Sequence, residues 1–138
     1  MDDDHALGAL TRDRGAAGTL LLAVLLPVAV VGTALVLGLS QLAIARAAAQ
    51  AGADAAALAA GPITFHAYDG RGDPVAAARD AAEDNGLTLV RCECRKDATW
   101  AERTVVVGVE TGVRVLGIYP VVVTAEAAAR FTPVDLLR

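Results

Sequence analysis

The sequence predicts an α+β protein: a long N-terminal membrane-spanning helix that continues as a stalk, a short second helix, and a three- to four-stranded antiparallel sheet. Three observations support this fold class. An uncharged run extends from Gly15 to Ala45, an alanine-rich stretch follows it, and valine-rich segments of period two occupy the C-terminal half. A chain of 138 residues, 55% hydrophobic and 20% charged, fits one anchor and one small domain.

The uncharged run, residues 15–45, is the predicted transmembrane helix. At ~1.5 Å rise per residue it would reach ~45 Å, and a bilayer core is ~30 Å thick. A buried helix of a soluble protein is one alternative, but too little chain remains to enclose it. A cleaved secretory signal is the other, but its apolar region is only about 7–15 residues and its leader is basic. Within the run, Pro27 predicts a local kink.

Residues 1–14 form a short leader that we expect to be disordered and cytoplasmic. Arg12 and Arg14 precede the uncharged run, whereas Arg46 alone follows it directly. The positive-inside rule then places the N-terminus in the cytoplasm and the C-terminal domain outside it. The expected localisation is therefore the cell membrane, crossed once.

Alanine dominates residues 46–60, so the helix should continue as a stalk until Gly61 and Pro62 end it. Small residues recur on its surface at helical spacing, and such surfaces let another helix approach closely. An alanine-biased genome is the alternative explanation. The predicted helix-association face consists of Ala47, Ala51, Ala55 and Ala59, and the neighbouring face consists of Ala48, Gly52, Ala56 and Ala60.

Residues 61–138 are predicted to form a small extracytoplasmic α+β domain. After a loop with a short extended piece at residues 63–65, Asp73 and Pro74 begin a helix that runs through Asn85 and is closed by Gly86. Its apolar stripe consists of Val75, Ala78, Ala81 and Ala82. The short helix and the stalk are the elements available to cover a sheet.

The period then changes to two, which predicts strands. Residues 87–94 form a strand whose inward side is ambiguous, and residues 103–112 form a half-buried strand with Val105, Val107 and Val109 on one face. Residues 113–118 are a loop or short strand, and a third strand runs from Val121 after Pro120. Residues 131–138 are expected to be a frayed tail.

The sequence indicates no catalytic chemistry. It contains no glycine-rich phosphate loop, no metal-ligand spacing and no nucleophile elbow, so we expect no enzyme activity, cofactor, metal site or small-molecule substrate. A net charge of −4 without a basic cluster argues against nucleic acid as a partner. Cys92 and Cys94 lie two apart on a strand, near the upper limit of Cα separation for a disulfide, so an unstrained bond between them is not expected.

Trp100 is a candidate partner contact, because exposed aromatic residues favour interfaces. The alternative is that Trp100 packs over the edge of the sheet. It lies in the charged segment between the first two predicted strands.

Two segments resemble a known family. The first opens with Arg14, Gly15, Ala16 and Ala17, has Pro27 inside the apolar run, and continues through Gln41 to the alanines and Asp54 of the stalk. The second comprises Ala77, Ala78, Ala81, Ala82, Asn85, Gly86, Leu87, Leu89 and Cys92, followed by valine-rich alternation. Together they resemble TadE-like proteins, pseudopilin-like components of tight-adherence pilus systems, in the small high-GC Gram-positive subgroup.

This resemblance implies a pilin-like fold and a non-enzymatic membrane-anchored subunit of a pilus or related secretion assembly, with other such subunits as partners. It also implies that a membrane peptidase cuts between Gly15 and Ala16. Prepilin-like members carry a glutamate five residues into the mature chain, where this sequence has Leu20. The subgroup's cysteine ahead of the second helix is replaced here by Asp73 and Pro74.

The sequence supports two hypotheses about function, which belong to different classes of protein. The first is a structural subunit that assembles through its long helix. The second is a monomeric, membrane-tethered binding module whose sheet domain captures an extracytoplasmic partner and whose helix only anchors it.

Overall fold

The computed structural model describes residues 4–65 and 72–134, with side chains from residue 18 onward. Its elements are α1 (Asp4–Ile63), α2 (Pro74–Asp84), β1 (Thr88–Glu93), β2 (Arg103–Val115) and β3 (Tyr119–Phe131). The described chain is α+β, as predicted, and its sheet is antiparallel with strand order β1-β2-β3. The chain divides into two compact units, Met1–Leu39 and Ser40–Arg138.

The first unit contains the N-terminal part of α1. Because this helix begins at Asp4, the prediction of a disordered leader is wrong. Alanine and leucine in the leader favour helix, and aspartates near a helix N-terminus complement its dipole. Side chains of residues 18–33 are all exposed. The segment Gly18–Ile63 has a mean hydropathy of 2.8 in its most apolar window, with none of that window buried. This long apolar helix near the N-terminus is consistent with a membrane anchor.

The second unit packs both helices against one face of the sheet, as predicted. The core joins small residues of the helices to valines of the sheet. Because alanines supply the helix side of the core, the helix backbone lies close to the sheet. The helix residues of the core are Ala49, Ala53, Ala56, Ala57, Ala60, Ala78 and Ala82, and the sheet residues include Val105, Val107, Val109, Val123 and Ala127.

Helix α1 ends later than predicted. Gly61 and Pro62 both lie inside the helix, which ends at Ile63. Thr64 then donates from its amide to the Gly61 carbonyl at 3.2 Å and from its hydroxyl at 2.6 Å. These bonds satisfy a carbonyl of the last turn, so the helix closes there rather than at the proline. The predicted extended piece at residues 63–65 is reduced to one parallel bridge between Phe65 and Asp97.

Helix α2 agrees with its prediction. It begins at Pro74 with Asp73 as N-cap residue, it ends at Asp84, and Gly86 has a φ of +70°. The Asp73 side chain makes no capping hydrogen bond. Ala78 and Ala82 are buried, with Val75 and Ala81 packed beside them. The amide of Leu87 donates to the carbonyl of Ala82 at 3.0 Å, which turns the chain directly into β1.

A β-bulge explains why the inward side of β1 was ambiguous. Leu89 pairs with Val109 and Arg91 pairs with Gly108, so the register shifts at Val90. An extra residue reverses the alternation of side chains along a strand. Leu89 before the bulge and Cys92 after it therefore both pack against the core.

Cys92 and Cys94 form a disulfide, although their spacing on an extended strand argued against an unstrained bond. Strand β1 ends at Glu93, and Cys94 lies beyond it. The chain is no longer fully extended there, and the two Cα atoms are 5.3 Å apart. That distance lies within the usual range for disulfides.

Strands β2 and β3 form a hairpin that is longer than predicted. Residues 113–115 continue β2, and β3 begins at Tyr119 rather than Val121. Val105, Val107 and Val109 are buried as predicted. Phe131 is the last residue of β3 and Pro133 is fully buried, so the predicted frayed tail is wrong up to Val134. Residues 135–138 lie outside the described part.

Candidate functional site

The predicted helix-association face points away from the core. Ala47 and Ala51 are exposed, and Ala55 and Ala59 are half-buried. We call these four alanines the outward face. Its surroundings are apolar as well, since Ile44 is 70% exposed and Leu58 is 66% exposed. Among the described residues, 40–65 and 72–134, the core packs on the opposite side of this helix.

The neighbouring small-residue face is largely occupied by the chain's own domain. Gly52, Ala56 and Ala60 are buried, although Ala48 is exposed. A Cβ added at Gly52 would lie 2.2 Å from Leu87 Cδ1 and 3.2 Å from Asn85 Cβ. Glycine is therefore required there, because the segment between α2 and β1 lies directly against α1.

A shallow groove adjoins the outward face between α1 and β3. Its volume is about 270 Å³, and it is lined by Asp54, Ala57, Leu58, Ala128 and Ala129. Next to it, the Gln50 side-chain amide donates to the Glu126 carbonyl of β3 at 3.1 Å and to the Asp54 carboxylate at 3.4 Å. The groove is apolar except for Asp54, so it suits small apolar side chains better than a charged ligand.

Ile44, Ala51 and Leu58 recur every seven residues along this surface. Such spacing keeps apolar residues on one side of a helix and is typical of a seam between two helices. Sequence analysis named the alanines and missed Ile44 and Leu58, although the seven-residue spacing was readable. These two large side chains give the face more apolar surface than alanines alone.

The predicted contact residue Trp100 is 53% exposed. Its ring meets the buried ring of Phe65 edge to face, with centroids 4.8 Å apart. One side of the indole thus packs on the end of α1 and the other remains open to solvent. Both sequence interpretations, exposed contact and packed aromatic, describe part of this side chain.

Arg103 holds the segment that carries Trp100. Its guanidinium donates to the carbonyls of Asp97 at 2.7 Å and Ala101 at 3.3 Å, and also to that of Thr99. A further bond of 3.2 Å reaches the carbonyl of Thr64, beyond the end of α1. The same guanidinium lies 5.7 Å from the centre of the Phe65 ring. Residues 97–101, which we call the Trp100 loop, are thereby fixed to the segment that follows α1, in addition to the backbone bridge between Phe65 and Asp97. Sequence analysis treated Arg103 as an ordinary strand residue.

Asp97 stabilises the same loop. Its carboxylate accepts hydrogen bonds from the Thr99 amide at 2.9 Å and the Thr99 hydroxyl at 3.0 Å. These bonds, followed by the positive charges of Arg103 and Arg95, lower the pKa of Asp97. The carboxylate is therefore a structural group of the loop, ionised at neutral pH.

Gly15 and Ala16, the predicted processing residues, lie within α1 but outside the part of the chain whose side chains are described. Leu20 is 67% exposed. Cleavage between Gly15 and Ala16 stays a prediction. Among residues 18–65 and 72–134, no group of three or more His, Cys, Asp or Glu side chains could hold a metal ion.

Comparison of the chain with protein-family models, with curated proteins and with solved structures found no match.

Proposed function

We propose that this protein is a non-enzymatic, membrane-anchored structural subunit of a larger envelope assembly. Its long helix would cross the cell membrane once, with the N-terminus in the cytoplasm and the sheet domain outside. The TadE-like resemblance suggests a pilin-like subunit of a tight-adherence pilus or related secretion system. Its partners would then be other subunits of that assembly.

The observation that carries this proposal is the division of α1 into two sides within Ser40–Arg138. One side builds the domain core, whereas on the outward face Ala47 and Ala51 are exposed, with the exposed Ile44 and Leu58 beside them. Exposed apolar side chains of this size are characteristic of interaction surfaces. A second helix is the partner that fits, because small residues permit close approach and the apolar residues Ile44, Ala51 and Leu58 recur at seven-residue spacing.

Disulfide cross-linking tests this association. The two native cysteines are bonded to each other, so an introduced cysteine is the single free thiol of the chain. We expect Ala51→Cys and Ala55→Cys to give abundant adducts in native membranes under mild oxidation, with a second copy or another subunit. The matched control is Asp80→Cys on the exposed side of α2. Equal, low yields at all three positions would contradict the proposal.

A second candidate function is supported by the Trp100 loop. An exposed tryptophan that Arg103 and Phe65 hold in place resembles an interface hot spot, since little side-chain freedom is lost on binding. In that case the domain would capture an extracytoplasmic partner as a monomer. A tethered module would give low cross-linking at Ala51 and would lose capture in Trp100→Ala, whereas a structural subunit would give abundant cross-linking at Ala51 whether or not Trp100 is replaced.

A further inference from the structure

The tip of the β2–β3 hairpin is unusually apolar. Val115 pairs with Tyr119 across a loop of Leu116, Gly117 and Ile118. Ile118 is 73% exposed and Tyr119 is 64% exposed. Residues 115–125 contain no charged side chain. A hairpin tip in water normally carries polar turn residues, so this composition requires an explanation.

The backbone of the tip adds a second unusual feature. Leu116 has a φ of +53°, and it is the only non-glycine residue with positive φ among those described. This left-handed conformation favours Gly or Asn and disfavours a large apolar residue. Leu116 is nevertheless 38% exposed, so it adds a large apolar side chain to the surface of the tip.

The hairpin tip is fixed beside the uncharged run. The amide of Leu116 donates to the side-chain oxygen of Gln41 at 2.9 Å. Gln41 precedes Arg46 by five residues and lies inside the run that extends from Gly15 to Ala45. Five residues correspond to ~7.5 Å along a helix, so the tip lies level with helix residues that are still uncharged. Leu42 and Val113, next to this bond, both pack against the core.

We infer that the hairpin tip inserts into the interfacial region of the membrane that the uncharged run spans. This inference rests on the proposed membrane anchoring. Leu116 and Ile118 would enter the headgroup–acyl boundary, and Tyr119 would lie at the level where aromatic residues are enriched. The exposed Arg46 and Arg114 flank the apolar tip and would meet lipid phosphates. Lipid is favoured over a protein partner because the tip adjoins the membrane-spanning run.

Quenching by brominated lipids tests the insertion in the full-length protein. The chain has a single tryptophan, Trp100. In a Trp100→Phe background, Ile118→Trp and separately Tyr119→Trp would be reconstituted in phosphatidylcholine–phosphatidylglycerol vesicles with bromine on the upper acyl chain. We expect at least about twofold quenching of either tryptophan, since an interfacial segment lies ~5–10 Å into the boundary. Both sites are exposed, so neither substitution disturbs the core.

Two controls separate the inference from the anchoring on which it rests. The wild-type Trp100 lies beyond the far end of α1 and should show no quenching. Leu22→Trp in the Trp100→Phe background reports on the span and should be quenched. Quenching at Leu22→Trp without quenching at either hairpin position would overturn the inference alone. No quenching at any of the three would overturn the anchoring together with it. A blue-shifted hairpin tryptophan that brominated lipid does not quench would indicate a protein partner and also overturn the inference.

Discussion

Replacing Arg103 tests whether one side chain holds the Trp100 loop against α1. Arg103→Met removes the guanidinium and keeps much of the apolar stem. The carbonyls of Asp97, Thr99 and Ala101 would then lose the guanidinium as donor, and that of Thr64 would keep only the Asp97 amide. Arg103→Lys keeps the charge, but an ammonium cannot reproduce the planar fork that reaches four carbonyls.

The expected loss is set by how well those carbonyls can be rehydrated. A hydrogen bond from a charged donor contributes ~1.5–3 kcal/mol when its acceptor is buried. Thr64 is buried, at 1% exposure, but its carbonyl keeps the Asp97 amide as a donor, whereas the Trp100 loop is exposed and its carbonyls would bind water instead. We therefore expect Arg103→Met to lower the free energy of unfolding by ~1.5–3 kcal/mol, and Arg103→Lys by ~1 kcal/mol.

Urea unfolding of the full-length protein in detergent micelles, followed by Trp100 fluorescence, measures this loss. Hydrogen exchange of the Asp97 amide, which donates to the Thr64 carbonyl at 2.9 Å, reports on loop opening directly. Arg130→Met is the matched control. Arg130 forms an ion pair with Glu102 in which both side chains are exposed, so its loss should lower the free energy of unfolding by less than ~1 kcal/mol. An Arg103→Met protein with wild-type midpoint, Trp100 emission and Asp97 exchange would refute the reasoning.

Three further predictions concern the second compact unit. Gly52→Val should lower the free energy of unfolding by ~2–3 kcal/mol, because even a Cβ there would lie 2.2 Å from the buried Leu87. The control Ala51→Val should lower it by only ~0.5 kcal/mol, since Ala51 is exposed. Equal urea midpoints for the two variants would contradict this prediction. The pKa of Asp97 is lower in the folded protein than its value of ~3.9 in the unfolded chain, so the ionised carboxylate stabilises the folded state at pH values above ~3.9. This stabilisation is lost as the pH falls through the lower pKa of the folded state. The stability difference between wild type and Asp97→Asn should therefore shrink between pH 7 and pH 3, and a constant difference would count against it. Replacing Cys92 and Cys94 by serine should cost ~1–2 kcal/mol, since the closed loop is very short, and thiol alkylation of the wild type should require a reductant.

The elements were predictable where one physical preference acted alone. The alternation of Val105, Val107 and Val109 identified β2 and its buried face, and Pro74 and Gly86 marked the limits of α2. The inward side of β1 was not predictable, because a bulge at Val90 leaves no local mark in composition. The disulfide was not predicted, because the strand was assumed to stay extended through Cys94, whereas β1 ends at Glu93.

The surfaces were predictable only in part. Two small-residue faces of the stalk are nearly identical in sequence, so periodicity could not tell which one the domain covers. The covered face is the one that contains Gly52, because Leu87 packs in the space that a side chain at Gly52 would fill. The fixation of the Trp100 loop by Arg103 and the contact of Leu116 with Gln41 join residues far apart in the sequence. No local pattern encodes such contacts.

The packing of α1 also determines how the two functional hypotheses can be separated. Five alanines of α1 form one side of the domain core, so a fragment that begins at Gly61 would expose the valines of the sheet; these are Ala49, Ala53, Ala56, Ala57 and Ala60. Binding by that fragment is therefore no test of a tethered module. Exchange of the apolar segment before Ser40 leaves the second compact unit intact. A structural subunit that associates through the outward face should then keep its cross-links at Ala51, whereas one that associates through the span should lose them.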